Sequence, residues 1–180
     1  MGGKPFFISL SVLFLFVLLV LDFPAEGREE DLYTKIRISL IKGDKKAPDF
    51  SLLDLHGRKV GLKQFRGKII LLNFWATWCG PCMQELPNVV KVYKKYHKKG
   101  FDIIGINLDL DKGQLKGVMK ESGMTWAQYF DGTGWDNKFA KQFGIPSIPS
   151  MWLIDKKGIL VDLNARNKLE ENIEKLLAEK

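Results

Sequence analysis

Cysteine and histidine are scarce in this chain, with two of each among 180 residues. So low a count excludes a small scaffold pinned by several disulfides. It also excludes a zinc site: zinc takes about four ligands, and beyond Cys79 and Cys82 there are only His56, in a turn, and His97, far down a helix. Both histidines read as ordinary surface residues. Long apolar runs are missing with one exception. Phe6 to Leu21 is almost wholly apolar, yet it falls short of the roughly 20 residues of a spanning helix and is interrupted by Ser9 and Ser11. Downstream there is no internal repeat and no low-complexity tract. No nucleic-acid motif accompanies the basic charge, so nucleic acid is not an expected partner.

What the first residues do contain has the layout of an export signal. Lys4 gives a positive start, the apolar run follows, and Ala25-Glu26-Gly27 supplies small residues around a cleavage point. Residues 1–27 are therefore expected to be a signal peptide or a retained membrane anchor acting through residues 6–21. Both readings put the rest of the chain outside the cytoplasm, periplasmic or secreted. A buried core helix fits less well, because the run is apolar on every face and nothing downstream pairs with it. Residues 28–45 form a charged lead-in whose Ile36, Ile38, Leu40 and Ile41 alternate like an edge strand. Residues 46–180 are expected to form one domain.

The net charge is +7. Much of it falls on Lys91, Lys94, Lys95, Lys98 and Lys99, at spacings that decorate one side of a helix whose other side carries Val89, Val92, Tyr93 and Tyr96. This is the pattern of a solvated helix face, with attraction to anionic lipid headgroups as the functional alternative.

Periodicity supplies the organisation. Phe50 to Leu53 and Lys59 to Val60 flank a turn at Leu55-His56-Gly57-Arg58 and read as a hairpin, with a helical turn at Leu62 to Phe65. Lys68 to Trp75 reads as a buried strand, followed by a helix from near Gly80 to Gly100 and a second buried strand at Phe101 to Leu108. Strand, helix and strand form a crossover with the two strands parallel. Asp111 to Ser122 and Gly134 to Phe143 read as helices. Met151 to Asp155 and Ile159 to Leu163 read as an antiparallel hairpin, and Asn167 to Ala178 as a closing helix.

The only two cysteines stand three positions apart, where the parallel strand hands over to the helix. A disulfide closing so small a loop constrains little of the unfolded chain, so the pair is there to react. Cys79 falls at the helix N-terminus, where free N–H groups and the helix dipole favour the nucleophilic thiolate. Pro81, directly after Gly80, suits the first turn because its missing N–H would go unused there. Cys82 lies one turn on. In the mechanism this allows, Cys79 attacks a substrate disulfide and Cys82 resolves the mixed disulfide. Run backwards, the same site oxidises dithiols.

The segment Asn73-Phe74-Trp75-Ala76-Thr77-Trp78-Cys79-Gly80-Pro81-Cys82 resembles the active-site strand and motif of the thioredoxin superfamily. Three further segments, Ala47 to Leu52, Cys82 to Pro87 and Ile148 to Asp155, resemble its exported TlpA/ResA-like thiol-disulfide oxidoreductase branch, over roughly residues 46 to 178. The resemblance implies an α/β thioredoxin fold, a central mixed sheet flanked by helices with an N-terminal β-hairpin extension. It implies that Pro149 is a cis-proline facing the cysteines, and that Trp78, Gly80, Pro81 and the backbone of Ile148 meet the substrate. It also implies that Glu85 sits near the thiols and tunes their protonation. The alternative for Glu85 is an exposed helix carboxylate. Asn73 is a departure, standing where cytoplasmic-type thioredoxins carry a buried aspartate.

Trp75 reads equally well as a flank of the site or as core, while Trp126, Trp135 and Trp152 read as core. By the same resemblance the expected function is reduction of disulfides in exported proteins, as in members that reduce apocytochrome cysteines before haem attachment. The partners are then a protein disulfide or dithiol and a membrane electron donor. No cofactor is called for, and the chain is expected to act as a monomer. Dithiol oxidation, peroxide reduction and a non-catalytic binding module are the competing readings. Peroxiredoxins place a threonine three residues before a lone cysteine, whereas Thr77 is two before Cys79 and a second cysteine follows.

Overall fold

The structure, a computed structural model, describes residues 46–179. The readings made for residues 1–27 and for the lead-in with its edge strand lie outside the described residues. Among the described residues no helix is long and apolar enough to cross a membrane.

The first two strands, β1 (Ser51–Leu53) and β2 (Lys59–Gly61), pair antiparallel as a separate two-stranded sheet. Asp54 shapes the turn between them. Its Oδ1 accepts the backbone N–H groups of His56 and Arg58 at 2.9 and 2.8 Å, and its Oδ2 accepts from Arg58 Nε at 2.7 Å. Burial pushes the Asp54 carboxyl up, but the hydrogen bonds from the Arg58 side chain and from the two N–H groups outweigh it and hold the group below its ordinary value. A carboxyl held low in the folded state contributes stability above its unfolded pKa, and that contribution is lost as pH falls through the folded value. Asp54→Asn should therefore cost about 1–2 kcal/mol at pH 7. In urea unfolding the gap from the parent protein should close as the pH is lowered through the acid range. A gap independent of pH would show that the charge contributes nothing.

A 3-10 turn at Leu62–Phe65 leads to β3 (Ile69–Trp75), buried at every position. Then come α1 (Gly80–Tyr96), a 3-10 turn to Lys99, and β4 (Phe101–Asn107), again buried throughout. The remaining elements are α2 (Lys112–Ser122), β5 (Ala127–Phe130), α3 (Lys138–Gln142), β6 (Ser150–Ile154), β7 (Leu160–Asp162) and α4 (Leu169–Ala178). The five-stranded sheet has the order β5-β4-β3-β6-β7. β3 is parallel to β4 and β4 to β5, while β6 is antiparallel to both β3 and β7. This is the mixed sheet that the resemblance implied, with the hairpin in front of it.

Helix α1 buries Cys82, Leu86, Val89, Tyr93 and Tyr96, a stripe at steps of three and four. It lies over the sheet face that carries Asn73 and Trp75. The other face bears an aromatic cluster. Phe143 packs on Phe74, Trp152 and Phe50 at centroid distances of 6.0, 5.7 and 5.8 Å. Edge-on pairs of this kind add to the area they bury, and Phe50 ties the hairpin region to the sheet. On the outer side of α1, Lys91 and Lys95 pair with Glu170 of α4 at 3.7 and 2.6 Å, so the lysine face is partly engaged within the protein.

Several sequence expectations are corrected. The expected helix from Gly134 to Phe143 is two pieces: a 3-10 turn at Gly134–Asp136, then α3. Asn137 breaks it with a non-helical backbone, φ −49° and ψ 126°, its side chain accepting from the N–H groups of Phe139 and Ala140 at 3.0 and 3.1 Å. Strand β5 went unread because neither alternation nor an unbroken β-branched run marks it. Trp135 is not core but 48% exposed. His97 is half-buried rather than a plain surface residue, with its ring 4.5 Å from that of Tyr93 and its Nδ1 3.7 Å from Asp102.

Candidate active site

β3, the central strand of the sheet, ends at Trp75, and the chain crosses Ala76-Thr77-Trp78 to reach α1. That crossing is braced by Asp109, just beyond β4. Asp109 is buried, and its Oδ1 accepts from Thr77 N and Thr77 Oγ1 at 2.9 and 3.0 Å. Its Oδ2 accepts from Asn107 Nδ2 at 2.9 Å. A buried carboxylate is tolerated when donors surround it in this way. Trp78 Nε1 donates to the Leu108 carbonyl at 3.3 Å, and its ring stays 53% exposed.

Cys79 caps α1 with an extended backbone, φ −85° and ψ 101°, and its Sγ accepts the N–H of Cys82 at 3.2 Å. Gly80 and Pro81 complete the first turn and are exposed. The two sulfurs are joined in a disulfide, with Cα atoms 5.2 Å apart. Opposite lies the loop before β6, where Ile148-Pro149 is a cis peptide and the Ile148 carbonyl oxygen is 3.7 Å from Cys79 Sγ. The structure thus brings Cys79, Cys82, Trp78, Gly80, Pro81, Ile148 and Pro149 to one place.

Behind Cys82 is a cavity of about 10 Å³, lined by Asn73, Trp75, Cys82, Glu85, Leu86, Val89, Pro149 and Met151. Such a space is the size of one water. Glu85 Oε1 accepts from Asn88 Nδ2 at 2.6 Å and Oε2 from Arg166 Nε at 3.4 Å, and its side chain is 16% exposed. It is therefore not a free surface carboxylate. Asn73 is buried, and its Oδ1 has no hydrogen-bond partner among the described residues. Trp75 is core: it is buried, with Nε1 donating to Gln128 Oε1 at 3.1 Å.

Sequence reasoning missed Asp109, Gln128 and Arg166. Asp109 carried a usable signal, because polar residues directly after a buried parallel strand sit at the carboxyl edge where sites form. Gln128 and Arg166 act from 53 and 81 positions away, and nothing local marks them. Among the described residues no group of three or more His, Cys, Asp or Glu is placed to hold a metal ion.

The profile of the family described as Redoxin matches residues 42–177. The chain belongs to the Redoxin family. The thiol-disulfide oxidoreductase ResA of Bacillus thuringiensis subsp. konkukian is 35% identical over 133 residues, 74% of this chain and 75% of that protein. The thioredoxin-like protein YneN of Bacillus subtilis is 31% identical over 148 residues, 81% and 84% of the two chains. A solved thiol-disulfide oxidoreductase from Bacteroides fragilis superposes with a TM-score of 0.62 at 33% identity, covering 71% of this chain and 99% of its own. This Redoxin-family chain is a thioredoxin-fold thiol-disulfide oxidoreductase similar to ResA, with a disulfide-bonded cysteine pair at the start of a helix.

Proposed function

We propose that the chain works outside the cytoplasm and reduces disulfides of exported polypeptides, with Cys79 as nucleophile and Cys82 as resolving residue. The observation that carries the assignment of roles is the different setting of the two sulfurs. Cys79 Sγ faces the Ile148 carbonyl and accepts a helix N–H, whereas Cys82 lines the inner cavity together with Glu85. An extended substrate segment would lie along Ile148 and Pro149 and over Trp78, Gly80 and Pro81.

Cys79 thiolate attacks one sulfur of the substrate disulfide. The substrate S–S bond breaks, a Cys79–substrate bond forms, and the other substrate sulfur leaves as a thiolate. Glu85 takes the proton of Cys82, and the resulting thiolate attacks Cys79 Sγ. The mixed disulfide breaks, and the departing substrate sulfur is protonated. Two electrons have passed to the substrate and the pair is oxidised to the state seen here. A membrane electron donor must then return two electrons. The signal-like layout of residues 1–27, a positive start followed by an apolar run and small residues, and the resemblance to the exported branch support the location, and Gly80-Pro81 supports the reducing direction by the same resemblance.

The reduction potential of the pair, measured on the full chain equilibrated against glutathione and dithiothreitol buffers, tests the direction. A value of about −270 mV or below is expected for a reductant. A value near about −120 mV would make the protein an oxidant of dithiols. Absence of any reversible two-electron titration would overturn the enzymatic reading.

A further inference from the structure

Exposed large apolar side chains are ordinary when scattered, but a contiguous group beside a reactive centre calls for an explanation. Leu110 is 73% exposed, Trp78 53% and Trp135 48%. The rings of Trp78 and Trp135 meet at 6.2 Å with 57° between their planes. Leu110 packs on the loop that carries Trp135, so closely that a Cβ at Gly134 would come within 3.2 Å of its Cδ2. Gly134 has φ +61° and serves both demands, the turn and the close approach.

The shelf is braced from beneath. Asp131 Oδ1 accepts from Thr133 N, Thr133 Oγ1 and Asn137 Nδ2 at 3.2, 2.8 and 3.1 Å, and Oδ2 accepts from Lys138 N at 3.0 Å. Asn137 Nδ2 also reaches the Asn107 carbonyl at 3.3 Å, which ties this loop to β4 beside the Asp109 brace. Trp135 is thus presented on a fixed loop, and a fixed apolar surface binds without first losing conformational freedom.

We infer that Trp78, Trp135 and Leu110 form a docking shelf for an aromatic or large aliphatic side chain of the substrate polypeptide, a few residues from the cysteine that Cys79 attacks. The inference rests on the reductase reading of this site and adds a determinant of substrate choice to it. Continuity with the reactive sulfur argues for this occupant: Trp78 immediately precedes Cys79, so a chain whose sulfur reaches Cys79 must pass over it. The Trp135 ring lies 6.2 Å beyond that of Trp78, about two residues of an extended chain at about 3.3–3.6 Å each, so the side chain over Trp135 belongs to a residue a few positions from the attacked cysteine. A second copy of this protein on the same patch would cover Trp78 and bar access to Cys79.

Two peptides test this, each with one intramolecular disulfide flanked on both sides, at the third residue, by Phe in one and Ala in the other. The full chain is reduced, freed of reductant, and mixed with each peptide. The rate of thiol appearance is followed by mass spectrometry, and the readout is the ratio of the two rate constants. A preference of about tenfold for the Phe peptide is expected, in line with an aromatic contact and its buried area. Trp135→Ala should bring the ratio close to one, Trp135→Phe should keep most of it, and Leu110→Ser should lower it in part. A ratio unchanged in Trp135→Ala overturns the inference, including the case in which both rates fall together. So does a dimer that Trp135→Ala dissociates in sedimentation, which would assign the patch to a second copy. If the parent protein reduces neither peptide, the reductase reading has failed, and that outcome is distinct from a lost preference.

Discussion

Cys82→Ser is expected to stop the exchange half-way, with the substrate held on Cys79 as a mixed disulfide, while Cys79→Ser should hold none. Exposure does not separate the two residues, at 5% and 4%. Surroundings do. The N–H of Cys82 points at Cys79 Sγ, a donor that stabilises charge on that sulfur once the disulfide is reduced. The Ile148 carbonyl, 3.7 Å from the same sulfur, gives an extended partner chain a backbone to lie beside. Cys82 instead lines a cavity with room for one water and no room for a peptide. Its sulfur is within bonding reach of Cys79, which is what a resolving thiol needs.

Either substitution should lower steady-state turnover by about 10³-fold or more, since neither half-reaction closes the cycle alone. Only Cys82→Ser should give an adduct that disappears on adding dithiothreitol in non-reducing electrophoresis or mass spectrometry. Equal adducts with both variants would overturn the assignment of roles.

Local rules carried most of the frame. The Ile69 to Leu72 run and the Phe101 to Leu108 run are buried from end to end, and the Cys79-Gly80-Pro81-Cys82 turn marked the helix start with a cap and a proline. These features are dense in sequence and depend on neighbours within a few positions. The failures are of two kinds. Trp135 reads as core from the sequence, yet Gly134 and Asn137 break the helix on either side of it, and it is 48% exposed. Glu85 was recognisable through its place after Cys82, but its partner Arg166 comes from the 3-10 turn Ala165–Lys168 after β7, 81 positions on, and depends on how β7 and that turn return beside α1. Only the tertiary arrangement creates contacts of that second kind, and local periodicity contains no record of them.

Gly105→Ala should destabilise the domain more than its size suggests. Gly105 sits inside β4, level with Asn73 of β3 and Gln128 of β5. Gln128 lies across the bare backbone at Gly105 to give its Oε1 to Trp75 Nε1 at 3.1 Å. A Cβ at Gly105 would fall 2.0 Å from that oxygen and 2.4 Å from Cδ. The amide is the end of a flexible side chain, but Gln128 is 1% exposed, so it has no solvent to swing into. If it moves, Trp75 Nε1 is left buried without a partner.

Overpacking costs about 1–3 kcal/mol and the orphaned donor about the same again, so a loss of about 3 kcal/mol is expected. That corresponds to a melting temperature lower by about 10 °C. Adding Gln128→Ala should recover the packing part and leave the unpaired indole, so the double variant should match Gln128→Ala alone rather than the sum of the two single losses. Additive losses, or a Gly105→Ala protein as stable as its parent, would show that Gln128 does not occupy the notch. Trp75 also walls the cavity behind Cys82, so the same substitution should loosen the support of the resolving cysteine. Its resolution step should therefore slow more than its first attack, when the two are timed separately by single-turnover mixing of the reduced protein with a peptide disulfide.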